Sequence, residues 1–201
     1  MKRAMIAFIL ALAVSMPAFA QTHSGHHARR YYLDDVAQFV PAIANFGLSV
    51  CGVKPKHDWR ERIALTATSM IICEGVTYAL KYTVHSTRPD GTDNHSFPSG
   101  HSARAFRGAE MLRSEYGWGW GAGGYAVAVG VAALRIDHRR HRLGDVAAGA
   151  AIGFLSARAA YLLLPLERKL FRWRSSEVTA VAAPSWSPET RTLSFAAAIT
   201  F

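Results

Sequence analysis

Between Lys81 and Phe106 the chain reads KYTVHSTRPDGTDNHSFPSGHSARAF, and a second basic stretch, RIDHRRHRLGD, runs from Arg135 to Asp145. The first sets Lys81, Arg88, His95, His101 and Arg104 among small residues, prolines and glycines. A packed core has no use for that composition; a site for a doubly charged anion does. Three long cations, Lys81, Arg88 and Arg135, could surround a phosphoryl group and neutralise the charge spread over its oxygens. Ser99 is a preferred cap residue, so Ser99, Gly100 and His101 open a helix whose free N–H groups and dipole favour an anion. Gly100 lets that backbone come close. In phosphoryl transfer one imidazole can attack phosphorus while a second protonates the leaving oxygen. The attacking ring needs its other nitrogen held by a carboxylate, which fixes the tautomer and stabilises the imidazolium form. His141 and Asp145 stand four apart and therefore share a helical face. His138 lies in the same patch, and Asp137 is also four residues from His141, so residue types alone leave the choice of histidine open.

Competing chemistries leave no trace. The sequence contains no GxSxG elbow, no Walker loop and no HExxH pair. Asp90 and Asp93 are too few for a carboxylate metal cage and read as loop residues.

These groups must be positioned by a chain of 201 residues, 50% hydrophobic and only 18% charged, with a formal charge of +9. That balance fits a membrane and a negatively charged partner. Residues 1–20 have the form of a bacterial secretory signal: Lys2 and Arg3, the apolar run AMIAFILALAV, and AFA before Gln21. Its removal lowers the charge from +9 to +7. A polar leader, 21–33, follows; its His23, His26 and His27 read as flexible rather than metal-binding, since no further ligand stands at fixed spacing. Cys51 and Cys73 read as two small buried thiols rather than a disulfide.

The fold class is all-α, a membrane-embedded bundle of about five core helices within 34–174. The expected helices are 34–50, kinked at Pro41; 59–85; 99–115, amphipathic; 116–134, uncharged and near the length of a span; and 145–166. Gly149 and Gly153 in the last form a G-x-x-x-G pair that admits a neighbouring backbone. Residues 175–201 form a β-hairpin, EVTAVAA pairing with the alternating RTLSFAAAITF across the turn APSWSPET. Placing Lys54, Lys56, Arg60 and Arg62, and the run Arg168, Lys169, Arg172 and Arg174, on the inner side satisfies the positive-inside rule. Loops 81–101 and 135–145 then share the outer side.

KYTVHSTRP, PSGH and RIDHRRHRLGD together resemble the signature of the type 2 phosphatidic acid phosphatase superfamily, which also holds bacterial acid phosphatases and vanadium-dependent haloperoxidases. Leu134 departs from the small serine usual there. The resemblance implies His141 as nucleophile, Asp145 as its orienting partner and His101 as general acid. It further implies that Lys81, Arg88, Ser99, Gly100 and Arg135 bind phosphate, with a phosphohistidine intermediate and neither metal nor cofactor. The expected protein is a phosphatase in the inner membrane with its site facing the periplasm. Its substrate would be a phosphorylated lipid: phosphatidate, phosphatidylglycerol phosphate, undecaprenyl diphosphate or lipid A. Nucleic acid is not an expected partner, and the hairpin edge leaves room for pairing between copies. The alternatives are a soluble periplasmic acid phosphatase, a vanadate-dependent haloperoxidase, and a non-catalytic binder of anionic lipid. His85, His95, Arg104, His138, Arg139, Arg140 and Arg142 read as headgroup-facing or loop residues.

Overall fold

The computed structural model describes residues 34–171, 179–187 and 192–200; the expected signal and leader, 1–33, lie outside them. The chain divides into two compact units, Met1–Tyr161 and Leu162–Phe201.

One helical turn at 34–37 precedes α1 (Val40–Val50), α2 (Trp59–Val84), α3 (Gly100–Tyr116), α4 (Trp118–Asp137) and α5 (Leu143–Leu170), the last of which ends in the second unit. The first expected helix is thus broken rather than kinked. Residues 38–39 form a turn, and the helix restarts with Pro41 in its first turn, where its missing N–H costs nothing. Asp58 caps α2 by accepting from the Glu61 amide at 2.8 Å. That helix ends at His85 in the left-handed region, φ 44°. Ser99 caps α3, as its residue type predicts, and Gly117, φ 79°, turns the chain from α3 into α4.

α3 is the central element, packed against α1, α2, α4 and α5. Its small residues make this possible. A Cβ on Gly108 would stand 2.9 Å from the Ala42 amide of α1. The G-x-x-x-G pair of α5 works in the opposite direction: Cβ atoms on Gly149 and Gly153 would run into the Ser99 and Ala103 carbonyls. The two backbones cross in contact, as the motif predicts.

The interior of this unit is unusually polar. Arg107 is buried and donates to the Thr66 carbonyl and Ser69 hydroxyl of α2 at 3.3 Å each. Glu110 is fully buried and takes Arg113 and the Tyr125 hydroxyl of α4. Arg62, expected among the inner-loop cations, is instead wholly buried. Its guanidinium lies within 6 Å of the rings of Phe46, Trp59 and Tyr116 and donates to Ser49 Oγ and the Asn45 carbonyl. Delocalised charge and a planar fork make arginine suited to such an aromatic cage. Meanwhile Ile43, Ile71, Val129 and Leu155 are more than half exposed.

Among the described residues, two helices, α2 and α5, are long and apolar enough to cross a membrane. α4, expected as a third, is not among them: its glycines lower its hydropathy, and it serves chiefly to cover α3. Cys73 is buried as expected, but Cys51 is exposed at the end of α1, and both are free thiols.

In the second unit β1 (Thr179–Ser187) and β2 (Thr192–Thr200) pair antiparallel, with Thr179 opposite Thr200 and Ser187 opposite Thr192. β1 therefore runs through APSWS, which sequence reasoning gave to the turn. Pro184 sits opposite Phe195; in a two-stranded ribbon each strand is an edge, where proline is tolerated.

Candidate active site

The four long helices alternate in direction, so the ends bearing the motifs gather at one end of the first unit. The end of α2 brings Lys81, the start of α3 brings Ser99, Gly100 and His101, and the end of α4 brings Arg135. The α4–α5 connection supplies His141, and the first turn of α5 supplies Asp145. The opposite end is tied by Glu115, which accepts from the His57 amide at 3.0 Å and from the Tyr161 hydroxyl at 2.6 Å.

His141 is the best-fixed group of the site, 3% exposed. Its Nδ1 lies 2.8 Å from the Ser96 carbonyl, an oxygen that can only accept. Nδ1 therefore carries the proton and Nε2 the lone pair. Nε2 looks toward Arg88, whose Nη1 is 3.4 Å away. Burial, reinforced by Arg135, Arg88 and Lys81, pushes the His141 pKa down to about 2, which favours the neutral ring with its Nε2 lone pair turned to Arg88.

Asp145 stands at ion-pair distance from His141 Nδ1 without hydrogen-bonding it. The two approach only to 3.8 Å, beyond hydrogen-bond range. Asp145 Oδ2 instead accepts from the Ser96 hydroxyl at 2.5 Å and from the Arg142 amide at 2.9 Å, while its carbonyl takes the Ser99 amide at 2.9 Å. It holds the two backbone segments that flank the imidazole, one of which supplies the carbonyl that bonds His141.

The cations are held with equal care. Lys81 donates through Nζ to the His95 and Pro98 carbonyls at 2.8 and 2.9 Å, drawing the loop onto the end of α2. Arg88 donates through Nε to Asp93 Oδ1 at 2.7 Å, and the Arg88 amide bonds the Asp93 carbonyl at 2.9 Å. Arg135, nearly buried, donates to Asp34 Oδ2 at 2.7 Å. His101 Nε2 lies 2.7 Å from Asp35 Oδ1. Burial is the largest influence on that ring and lowers its pKa to about 4.

All eight residues expected at the site are thus brought to one end of the bundle. Sequence reasoning missed Asp34, Asp35 and Ser96, and gave Asp93 a loop role alone. It also missed that Arg104 is no headgroup residue: it is doubly hydrogen-bonded to Glu74 of α2, at 2.7 and 2.8 Å, and donates to Gln38 at 3.2 Å. Likewise Arg140 pairs with Asp90 at 2.9 Å, and His138 Nδ1 lies 3.4 Å from Asp34. The signal available was acidic: Asp34-Asp35 directly follows the basic, aromatic stretch ARRYYL.

A family model described as the PAP2 superfamily matches residues 62–169, and the chain belongs to that superfamily. A protein of Porphyromonas gingivalis named lipid A 1-phosphatase is 36% identical over 140 residues, which cover 67% of this chain and 31% of that protein. The chain therefore spans about a third of the length of that curated relative. The crystal structure of Aquifex aeolicus LpxE is similar with a TM-score of 0.53 at 19% identity, covering 69% of this chain and 88% of that one. At that identity the likeness establishes the shared fold.

Proposed function

We propose that this chain is a phosphatase that removes phosphate from a lipid through a phosphohistidine on His141. The observation that carries the reading is the fixed tautomer of His141. A buried, neutral imidazole presents its Nε2 lone pair beside Arg88, with its proton held on the far side by the Ser96 carbonyl. This is a nucleophile aimed into a group of cations, an arrangement with little value for merely binding a headgroup. Lys81, Arg88, Arg135 and the α3 N-terminus at Ser99 and Gly100 take the phosphoryl oxygens. Nε2 attacks phosphorus, His101 protonates the leaving oxygen, and water then hydrolyses the N–P bond, with no metal required.

The favoured substrate is a phosphomonoester on a lipid headgroup, of which lipid A is the first to try, because a related protein bears the name lipid A 1-phosphatase. Charged groups such as Arg107 and Glu110 lie inside, while large apolar side chains of α2, α4 and α5 face outward. That inversion suits lipid surroundings. α1, about 16 Å long, is too short to cross, so sidedness rests on α2. One of its ends is flanked by Lys54, Lys56 and Arg60, which belong inside, and the other carries the site, which then faces the periplasm.

The test is release of inorganic phosphate in detergent with excess chelator, from lipid A, phosphatidate and undecaprenyl diphosphate. Chelator-resistant release should fall at least about 1,000-fold in His141→Ala. Survival of activity in that variant would refute the assignment of the nucleophile. Release only from water-soluble esters would favour the soluble acid phosphatase reading.

A further inference from the structure

We propose that Asp35 is the positioning carboxylate of His101, holding Nε2–H so that Nδ1 is the atom that delivers the proton to the leaving oxygen. The inference rests on the phosphatase reading above. His101 opens α3, sixty-six residues from Asp35 in sequence, and the two meet at 2.7 Å. A carboxylate is an acceptor, so Nε2 carries hydrogen, and the nitrogen left for exchange is Nδ1.

The position of Asp35 is itself built. Asp34, next in the chain, is buried on Arg135 at 2.7 Å. Gln38 Nε2 donates to the Asp35 carbonyl at 2.7 Å, and Gln38 Oε1 accepts from Arg104. The 34–38 segment is thus pinned on both sides of Asp35. His101 needs such a partner: burial, Arg135 and Arg104 all disfavour its charged form, and Asp35 opposes them.

The step balances simply. As the His141 Nε2–P bond forms and the bond from phosphorus to the leaving oxygen breaks, the Nδ1 proton of the His101 imidazolium passes to that oxygen. The neutral ring keeps Nε2–H on Asp35, the tautomer that the 2.7 Å contact with a carboxylate acceptor requires. In the second half, water attacks phosphorus, the N–P bond breaks, and a water proton returns to Nδ1.

A leaving group that departs unaided does not need the acid, which gives the test its discrimination. The experiment compares native protein with Asp35→Asn on an alkyl phosphate and on 4-nitrophenyl phosphate, in detergent. The variant should lose about 10- to 100-fold in kcat/KM, which reports the steps up to release of the leaving group, on the alkyl ester and stay within about threefold on the nitrophenyl ester. Equal losses on both would overturn the proposal and reduce Asp35 to a structural anchor. A gain on both, with a lower KM, would also overturn it and make the 34–38 segment an obstruction. Absence of turnover in the native protein would instead strike at the phosphatase reading. Nitrogen-15 histidine spectra need no turnover: the Nε2–H tautomer of His101 should dominate in the native protein and lose that dominance in Asp35→Asn, and an unchanged ring would refute the dyad.

Discussion

At the scale of residues, the site depends on carbonyls and shared carboxylates as much as on its cations. His141 is oriented by a backbone oxygen, and Asp145 acts on it through the Ser96 hydroxyl and the Arg142 amide. Two groups on one path should not contribute independently. Ser96→Ala should lower kcat about tenfold and Asp145→Ala about 100-fold, while the double variant loses little beyond Asp145→Ala alone. Phosphate-release kinetics on all three would check this; additive losses would mean that Asp145 reaches His141 by another route. The cations, the α3 cap and a cluster of histidines were legible from their types and spacing, while the choice of His141 among those histidines came from the family resemblance. Ser96 was not, because its work is done by a main-chain oxygen that every residue possesses. Asp35 was not, because its partner lies on another element and no local pattern links them.

At the scale of elements, the site is as exact as the crossing of α3 and α5. Gly149 rests against the carbonyl of Ser99, the residue that caps α3 at the candidate site, and Gly153 rests one turn further down. Gly153→Ala should destabilise by about 1–3 kcal/mol, since the obstructing atoms are backbone and cannot rotate away. Gly149→Ala should cost as much and also depress turnover, because relieving its clash moves the α3 N-terminus. Gly130, with nothing within 4 Å, is the control: Gly130→Ala should be neutral or stabilise by up to about 1 kcal/mol. Thermal unfolding in detergent, with phosphate release alongside, separates these outcomes. The helices themselves were legible from apolar runs, caps and the G-x-x-x-G pair. Their exceptions were not: Pro41 starts a helix instead of bending one, and Pro184 sits inside a strand, each according to what surrounds it.

At the scale of the whole molecule, the apolar runs spoke of lipid but did not reveal which charges lie inside. Arg62 and Arg104 looked like surface cations because the Phe46 and Tyr116 rings and the Glu74 carboxylate that receive them lie far away in sequence. The resulting inversion makes the exposed α1–α2 connection informative. Cys51 stands there, exposed, at the end of α1 remote from the 34–38 segment and the site, whereas Cys73 is inaccessible in α2. The molecule therefore carries one natural address label on the face opposite its chemistry. A membrane-impermeant maleimide applied to intact cells should leave Cys51 unmarked, and should mark it once the inner membrane is opened. Marking in intact cells would turn the protein over, placing its phosphate site in the cytoplasm.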